Sequence, residues 1–181
     1  MCTVRALHAA VFCSALVACS GGGNTPAAGE VVVNEIDADA DWVELYNRSD
    51  VALDLDGLML ADSDGAGGPK LDNAITFPTE TRIEPGASLF ILAKQDTVVE
   101  PGEQEPQSAC APGPSPCFYA PFGLSKGDGD EIFLLDGDSV IASAVFPPDA
   151  AEDGETWCRV PDGTGELQVC AGTPGAANEA P

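Results

Sequence analysis

Residues 31–47 read VVVNEIDADADWVELYN, and the fold is decided there. Two short apolar runs, 31–36 and 42–47, flank an acidic connection, Asp37-Ala38-Asp39-Ala40-Asp41. Short apolar runs bounded by turn residues, without a sustained 3.6-residue period or helix caps, read as strands. In the second run Trp42 and Tyr46 fall on one face and Val43 and Leu45 on the other, because successive side chains alternate across a strand. Both faces are apolar, so this strand is expected to pack on both sides and to serve the core.

The same punctuation continues outward. Further strands are expected at 58–61, 75–77, 88–93, 131–136, 139–146 and 156–160, separated by Gly, Pro, Asp and Asn clusters. Gly137-Asp138 provides the positive φ that a tight hairpin needs, and Pro85-Gly86 suits a type II turn. About eight short strands and no helix imply an all-β sandwich. Residues 95–118 are too long and too rich in Pro and Glu for an ordinary connection, so they are read as an inserted surface loop.

Charge narrows the function. The 181 residues hold 30 Asp+Glu against 7 Lys+Arg, a formal charge of −23. Such a chain repels phosphate backbones, which excludes a nucleic-acid binder that works through Lys/Arg contacts. It is not a disordered acidic chain either, since 44% of its residues are hydrophobic and a core can be built.

The N-terminus carries one base, Arg5, then an apolar run over 6–18 that ends Leu16-Val17-Ala18-Cys19. This resembles a bacterial lipoprotein signal peptide with its lipobox, in which only a small residue fits before the bond that is cut. The apolar run, about 13 residues, is too short to span a bilayer. The resemblance implies that residues 1–18 are removed, that Cys19 is lipidated, and that residues 19–30 form a flexible linker. Its chains anchor by burying methylenes at about 0.8 kcal/mol each, without help from basic residues. Ser20 after the cysteine, by similarity to lipoprotein sorting, implies the outer membrane. Loss of Arg5 takes the formal charge to −24, and the only histidine, His8, leaves with the signal.

Four cysteines then remain besides Cys19: Cys110, Cys117, Cys158 and Cys170. An even number in an exported domain implies disulfides. Three connectivities are open; pairing of sequence neighbours, Cys110 with Cys117 and Cys158 with Cys170, is the favoured one. Neither pair has C-x2-C spacing and no histidine is at hand, which argues against zinc.

Five stretches together resemble one family. Val31 to Ile36 followed by Asp41 to Asn47 is similar to the "INEI … WIELYN" opening of lamin tail domains. Asp54-Leu55-Asp56-Gly57-Leu58 and the Ile83, Pro85-Gly86, Leu89 order follow the same pattern, as does Gly123 to Glu131 with its "LSnsGD"-like turn. Gly172-Thr173-Pro174-Gly175-Ala176-Ala177-Asn178 matches the closing "TPGAAN". Leu58 departs from the common Trp, and the cystine-bearing insertion is a further departure. The resemblance covers about 31–178 and implies an immunoglobulin-like β-sandwich that acts as an interaction or tethering module.

Catalytic chemistry has little to work with. Without histidine beyond Cys19, neither a Ser-His-Asp triad nor a Cys-His pair can form. Ser125 and Lys126 are adjacent and read as a turn rather than a catalytic couple. Glu35 and Glu44 lie inside apolar strands and are expected to pair with Arg48, Arg82 or Arg159. Asp37, Asp39 and Asp41 offer alternate carboxylates to a hard cation such as calcium, with Asp62-Ser63-Asp64 and Asp128-Gly129-Asp130 as further oxygen-rich turns. The 37–41 stretch lacks the glycine and terminal glutamate of an EF-hand loop, and Asp is also an ordinary turn residue.

The sequence therefore points to a non-catalytic, lipid-anchored module of the cell envelope with no cofactor. It would hold an envelope protein or polymer at the membrane, and the alternative is a calcium-binding surface or adhesion module.

Overall fold

The computed structural model describes residues 23–93, 113–114 and 117–180. Cys19 and Cys110 lie outside the described residues, as does most of the expected insertion. Twelve strands are present among the described residues, with a single 3-10 turn at Leu71–Asn73 and no α-helix.

One sheet holds six strands in the order β12 (Leu167–Ala171), β11 (Glu155–Arg159), β1 (Val31–Asp37), β2 (Trp42–Asn47), β7 (Ser88–Ala93) and β8 (Cys117–Ala120). A second holds β10 (Ser139–Phe146), β9 (Asp130–Asp136), β4 (Met59–Ala61) and β5 (Ile75–Thr76). The short strands β3 (Leu53–Asp54) and β6 (Arg82–Ile83) pair with each other. All pairings are antiparallel except β7 with β8, which is parallel.

The main core forms between the two larger sheets. Val43, Leu45, Leu89 and Ile91 meet Leu60, Ile132 and Leu134 there. The opposite faces are covered too. Trp42, Phe90, Leu92 and Cys117 make a second cluster on the outer face of the six-stranded sheet, with the Trp42 and Phe90 rings 5.2 Å apart. Phe133 and Leu135 do the same with Ala61 on the other sheet. Two-sided packing explains why β7 and β9 read as nearly continuous apolar runs rather than alternating ones. The expectation for β2 holds: Val43 and Leu45 enter the main core and Trp42 the outer cluster.

A bulge in β1 sets the site described below. Val33 pairs with Leu45 and Glu35 with Glu44, so Asn34 is the extra residue. Val31, Val33 and Ile36 all reach the main core, a spacing of two followed by three. Inserting one residue reverses the alternation, and Glu35 is thereby turned to the outer face. A second bulge lies at Ile141 in β10. Its carbonyl accepts from the Gly29 N–H at 3.1 Å, which caps part of that sheet edge.

Several expectations change. The fold has more strands than the eight read from sequence: β3 and β6 are only two residues long, and β12 was read as tail. The insertion ends earlier than 118, because Cys117–Ala120 forms β8, and Phe118 packs edge-on to Phe77 in the main core. Residues 24–30 are docked, not free linker: Asp54 N–H donates to Asn24 O at 2.9 Å and Arg48 N–H to Glu30 O at 3.0 Å. The hairpin at Gly137 and the turn at Gly86 form with φ of 54° and 68°.

Candidate functional site

Polar residues concentrate on the outer face of the six-stranded sheet, where residues 172–178 lie across β1, β2 and β11. The bulge makes Asn34 and Glu35 available there. Glu35 and Glu44 stand directly opposite each other and are both fully buried.

Glu35 Oε1 accepts from the Thr156 hydroxyl at 2.6 Å and from the Thr173 N–H at 3.0 Å. The Thr173 hydroxyl sits between Glu35 Oε2 at 3.2 Å and Asn178 Oδ1 at 2.9 Å, and with one proton can donate to only one of them. Glu44 Oε1 accepts from the Gly175 N–H. Among the described residues Glu44 Oε2 is buried with no hydrogen-bond partner. Burial pushes the Glu44 carboxyl up to about 7, with the neighbouring charge of Glu35 adding to it and the Gly175 N–H opposing. Glu35 is raised as well, chiefly by burial, against its hydrogen bonds from Thr156 and Thr173.

Asn34 and Asn178 complete the lock. Asn34 Nδ2 donates to Asp162 Oδ1 at 3.0 Å, and its Oδ1 accepts from the Gly163 N–H at 2.8 Å. Asn178 Nδ2 donates to the carbonyls of Asn34 at 3.3 Å and Arg159 at 3.0 Å. The Cys158–Cys170 disulfide lies on the same face, joining β11 to β12 with Cα atoms 5.9 Å apart. Cys117 is disulfide-bonded and buried at the start of β8.

The arginines expected to neutralise Glu35 and Glu44 are occupied elsewhere. Arg159 Nε donates to the Val33 carbonyl at 3.0 Å and Nη1 to the Gly165 carbonyl at 2.9 Å. Arg48 reaches the Gly163 carbonyl at 3.5 Å, and Arg82 lies 3.7 Å from both Asp54 and Glu84. Glu35 and one oxygen of Glu44 are met instead by the Thr156 hydroxyl of β11 and by the Thr173 and Gly175 groups of the closing segment. Sequence reasoning missed this because the partners lie more than a hundred residues away.

The acidic turns are likewise held by amides. Asp37 Oδ1 accepts from the N–H groups of Asp39 at 2.9 Å and Ala40 at 2.8 Å, while Asp41 Oδ1 accepts from Leu124 at 2.8 Å. Asp130 Oδ1 accepts from Ser63 and Glu131, and its Oδ2 from Ser125. Asp37, Asp39 and Asp41 were expected to converge on calcium, yet among the described residues no three His, Cys, Asp or Glu side chains could hold a metal ion. The reason is local: Asp37 turns back on its own loop and Asp41 reaches across to another. Ser125 and Lys126 also do turn work, since the Ser125 hydroxyl accepts from Asp128 N–H at 3.3 Å and Lys126 pairs with Asp153.

Among the described residues, open depressions flank the sandwich on two sides. One of about 350 Å³ lies over the closing segment, lined by Tyr46, Ser88, Pro114, Asp162 and Gly175. The other, about 450 Å³, is lined by Asn24, Asp54, Asp56, Glu80 and Arg82 where the N-terminal segment enters.

A search of curated proteins found no match for this chain. Comparison with protein families matches the Lamin Tail Domain over residues 24–147, more than half of the chain. The match begins where Asn24 docks and stops before β11, β12 and the closing segment, which the structure folds onto the same sheet. With an all-β sandwich and the paired β1–β2 opening in place, the chain belongs to the lamin tail domain family.

Proposed function

We infer that this chain is a non-catalytic interaction module, lipid-anchored at Cys19 in the cell envelope and held at the outer membrane. The observation that carries the reading is the Leu16-Val17-Ala18-Cys19 sequence immediately ahead of a lamin tail domain whose docked part starts at Asn24. Four residues, 20–23, lie between the acylated position and Asn24, five steps of chain with a reach of at most about 18 Å. The β3–β6 end of the sandwich would therefore sit close to the headgroups, and the acidic turns around Asp39, Asp64 and Asp128 belong to the far end.

The lack of histidine beyond Cys19 and the turn roles of Ser125 and Lys126 support a binding rather than a hydrolytic module. Edge strand β12 ends its sheet among the described residues, and such an edge can accept an added strand from a partner. The partner is an envelope protein or polymer.

The test uses the full chain expressed with its N-terminus, labelled with a fatty-acid analogue and fractionated. The wild type should carry label and sediment with membranes, while Cys19→Ala should lose both properties. An unlabelled wild type, or a labelled Cys19→Ala, would sink the anchor. In-cell cross-linking should join the chain to an envelope component; turnover of any substrate by the purified chain would count against a purely binding role.

A further inference from the structure

Residues 172–178 do more than finish the chain. They form the cover over Glu35, Glu44 and Thr156; Asn178 fixes their far end to the Asn34 and Arg159 carbonyls, and the middle of the segment is attached through the two carboxylates themselves. Thr173 N–H bonds to Glu35 and Gly175 N–H to Glu44. Pro114 packs over Gly175 from outside: a Cβ added there would stand 2.8 Å from Pro114 Cγ.

The carboxylates around this pair are all of one sign and come from several elements. From β1 come Glu35 and Asp37, from β2 Glu44, and from the turn after β11 Asp162; Asp37 raises the proton affinity of Glu35, and Glu35 and Asp162 raise that of Glu44. Thr156 and Ser88 contribute hydroxyls, and the closing segment contributes Thr173, Gly175 and Asn178. Arg159 and Arg48 lie nearby but spend their donors on backbone carbonyls. Two opposed buried carboxylates, one with an oxygen that has no partner among the described residues, cannot both be ionised cheaply while covered.

We propose that residues 172–178 are a proton-controlled clasp, shut over the six-stranded sheet while the Glu35–Glu44 pair holds a proton and lifted when both carboxylates are ionised. Lifting returns the carboxylates to water and uncovers the strip of β1, β2 and β11 beneath. Because the closed form binds the proton more tightly than the open one, closing takes up a proton, and alkaline pH must favour opening. The clasp does not depend on the lipid anchor.

Amide hydrogen exchange on the full chain between pH 5 and pH 8, corrected for intrinsic rates, reads the clasp directly. The opening constant at Thr173 and Gly175 should rise on the order of 50- to 100-fold over that range as one proton is lost. Amides of Val43 and Leu45, in the strand beneath, should show a much smaller rise, which separates clasp opening from global unfolding. Glu44→Gln should flatten the response at Thr173 and Gly175, and Glu35→Gln supplies the same comparison should Glu44→Gln not fold. A pH-independent opening constant in the wild type, a rise of equal size at Val43, or an unchanged rise in the folded variant would overturn the proposal.

Discussion

Asn178 donates its side-chain amide to the main-chain carbonyl of Asn34, the bulge residue of β1, across 144 positions of sequence. The same amide serves the carbonyl of Arg159, so one side chain ties the end of the chain to two strands. Removing it takes that donor from both carbonyls, one of them buried. Asn178→Ala should therefore lower stability by about 1–3 kcal/mol, read as a shift in urea midpoint with little change in slope.

The Glu44 carboxyl gives stability a defined pH slope. Its folded pKa of about 7 exceeds the ordinary 4.5, so the folded form binds more protons than the unfolded one. The stabilisation linked to Glu44 is thus complete below about pH 4.5 and is lost as pH rises through about 7. Glu44→Gln should be more stable than wild type at pH 8 by about 2–3 kcal/mol, with the difference closing toward pH 4.5. Chemical denaturation of both proteins across that range checks it; parallel curves would refute the assignment.

The Cys158–Cys170 disulfide joins strands that are already paired, with 12 residues of separation. Chain entropy gives such a link about 3 kcal/mol at most. A Cys158→Ala/Cys170→Ala double variant should lose about 2–3 kcal/mol and still fold. The double variant is preferred to reduction because Cys117 is also disulfide-bonded.

Two glycines separate strain from crowding. Gly137 and Gly175 both have left-handed φ, 54° and 74°. A Cβ at Gly137 meets nothing within 4 Å, whereas at Gly175 it would meet Pro114 at 2.8 Å. Gly137→Ala should cost about 1 kcal/mol from backbone strain alone. Gly175→Ala should cost more and also weaken the N–H contact with Glu44. Equal thermal shifts in the two variants would show that Pro114 does not press on the clasp.

Much of the sandwich is legible from short-range pattern. Strands β1, β2, β7, β9 and β10 could be placed because their runs are long enough to show where apolar residues start and stop. Strands β3 and β6 could not, since two residues carry no period, and β8 was hidden in a Pro- and Cys-rich stretch whose parallel pairing with β7 leaves no local mark. The two-sided packing of β2 was readable because Trp42 and Tyr46 oppose Val43 and Leu45. The site was not: the residues were all in view, but their partners were assigned by charge, pairing Glu35 and Glu44 with arginines that turn out to hold carbonyls, as Arg48 and Arg159 do, or other carboxylates, as Arg82 does.

By itself the sequence determined the strand-rich class, the acidic charge, the cysteine supply and a single histidine, His8, because these follow from composition and local periodicity. Only the tertiary structure decided which way Glu35 faces, since one extra residue at Asn34 reverses the alternation of a strand. It alone set the closing segment over that carboxylate. Burial and long-range hydrogen bonding are properties of the assembled sheet, and they turned two ordinary glutamates into an opposed pair with raised proton affinity.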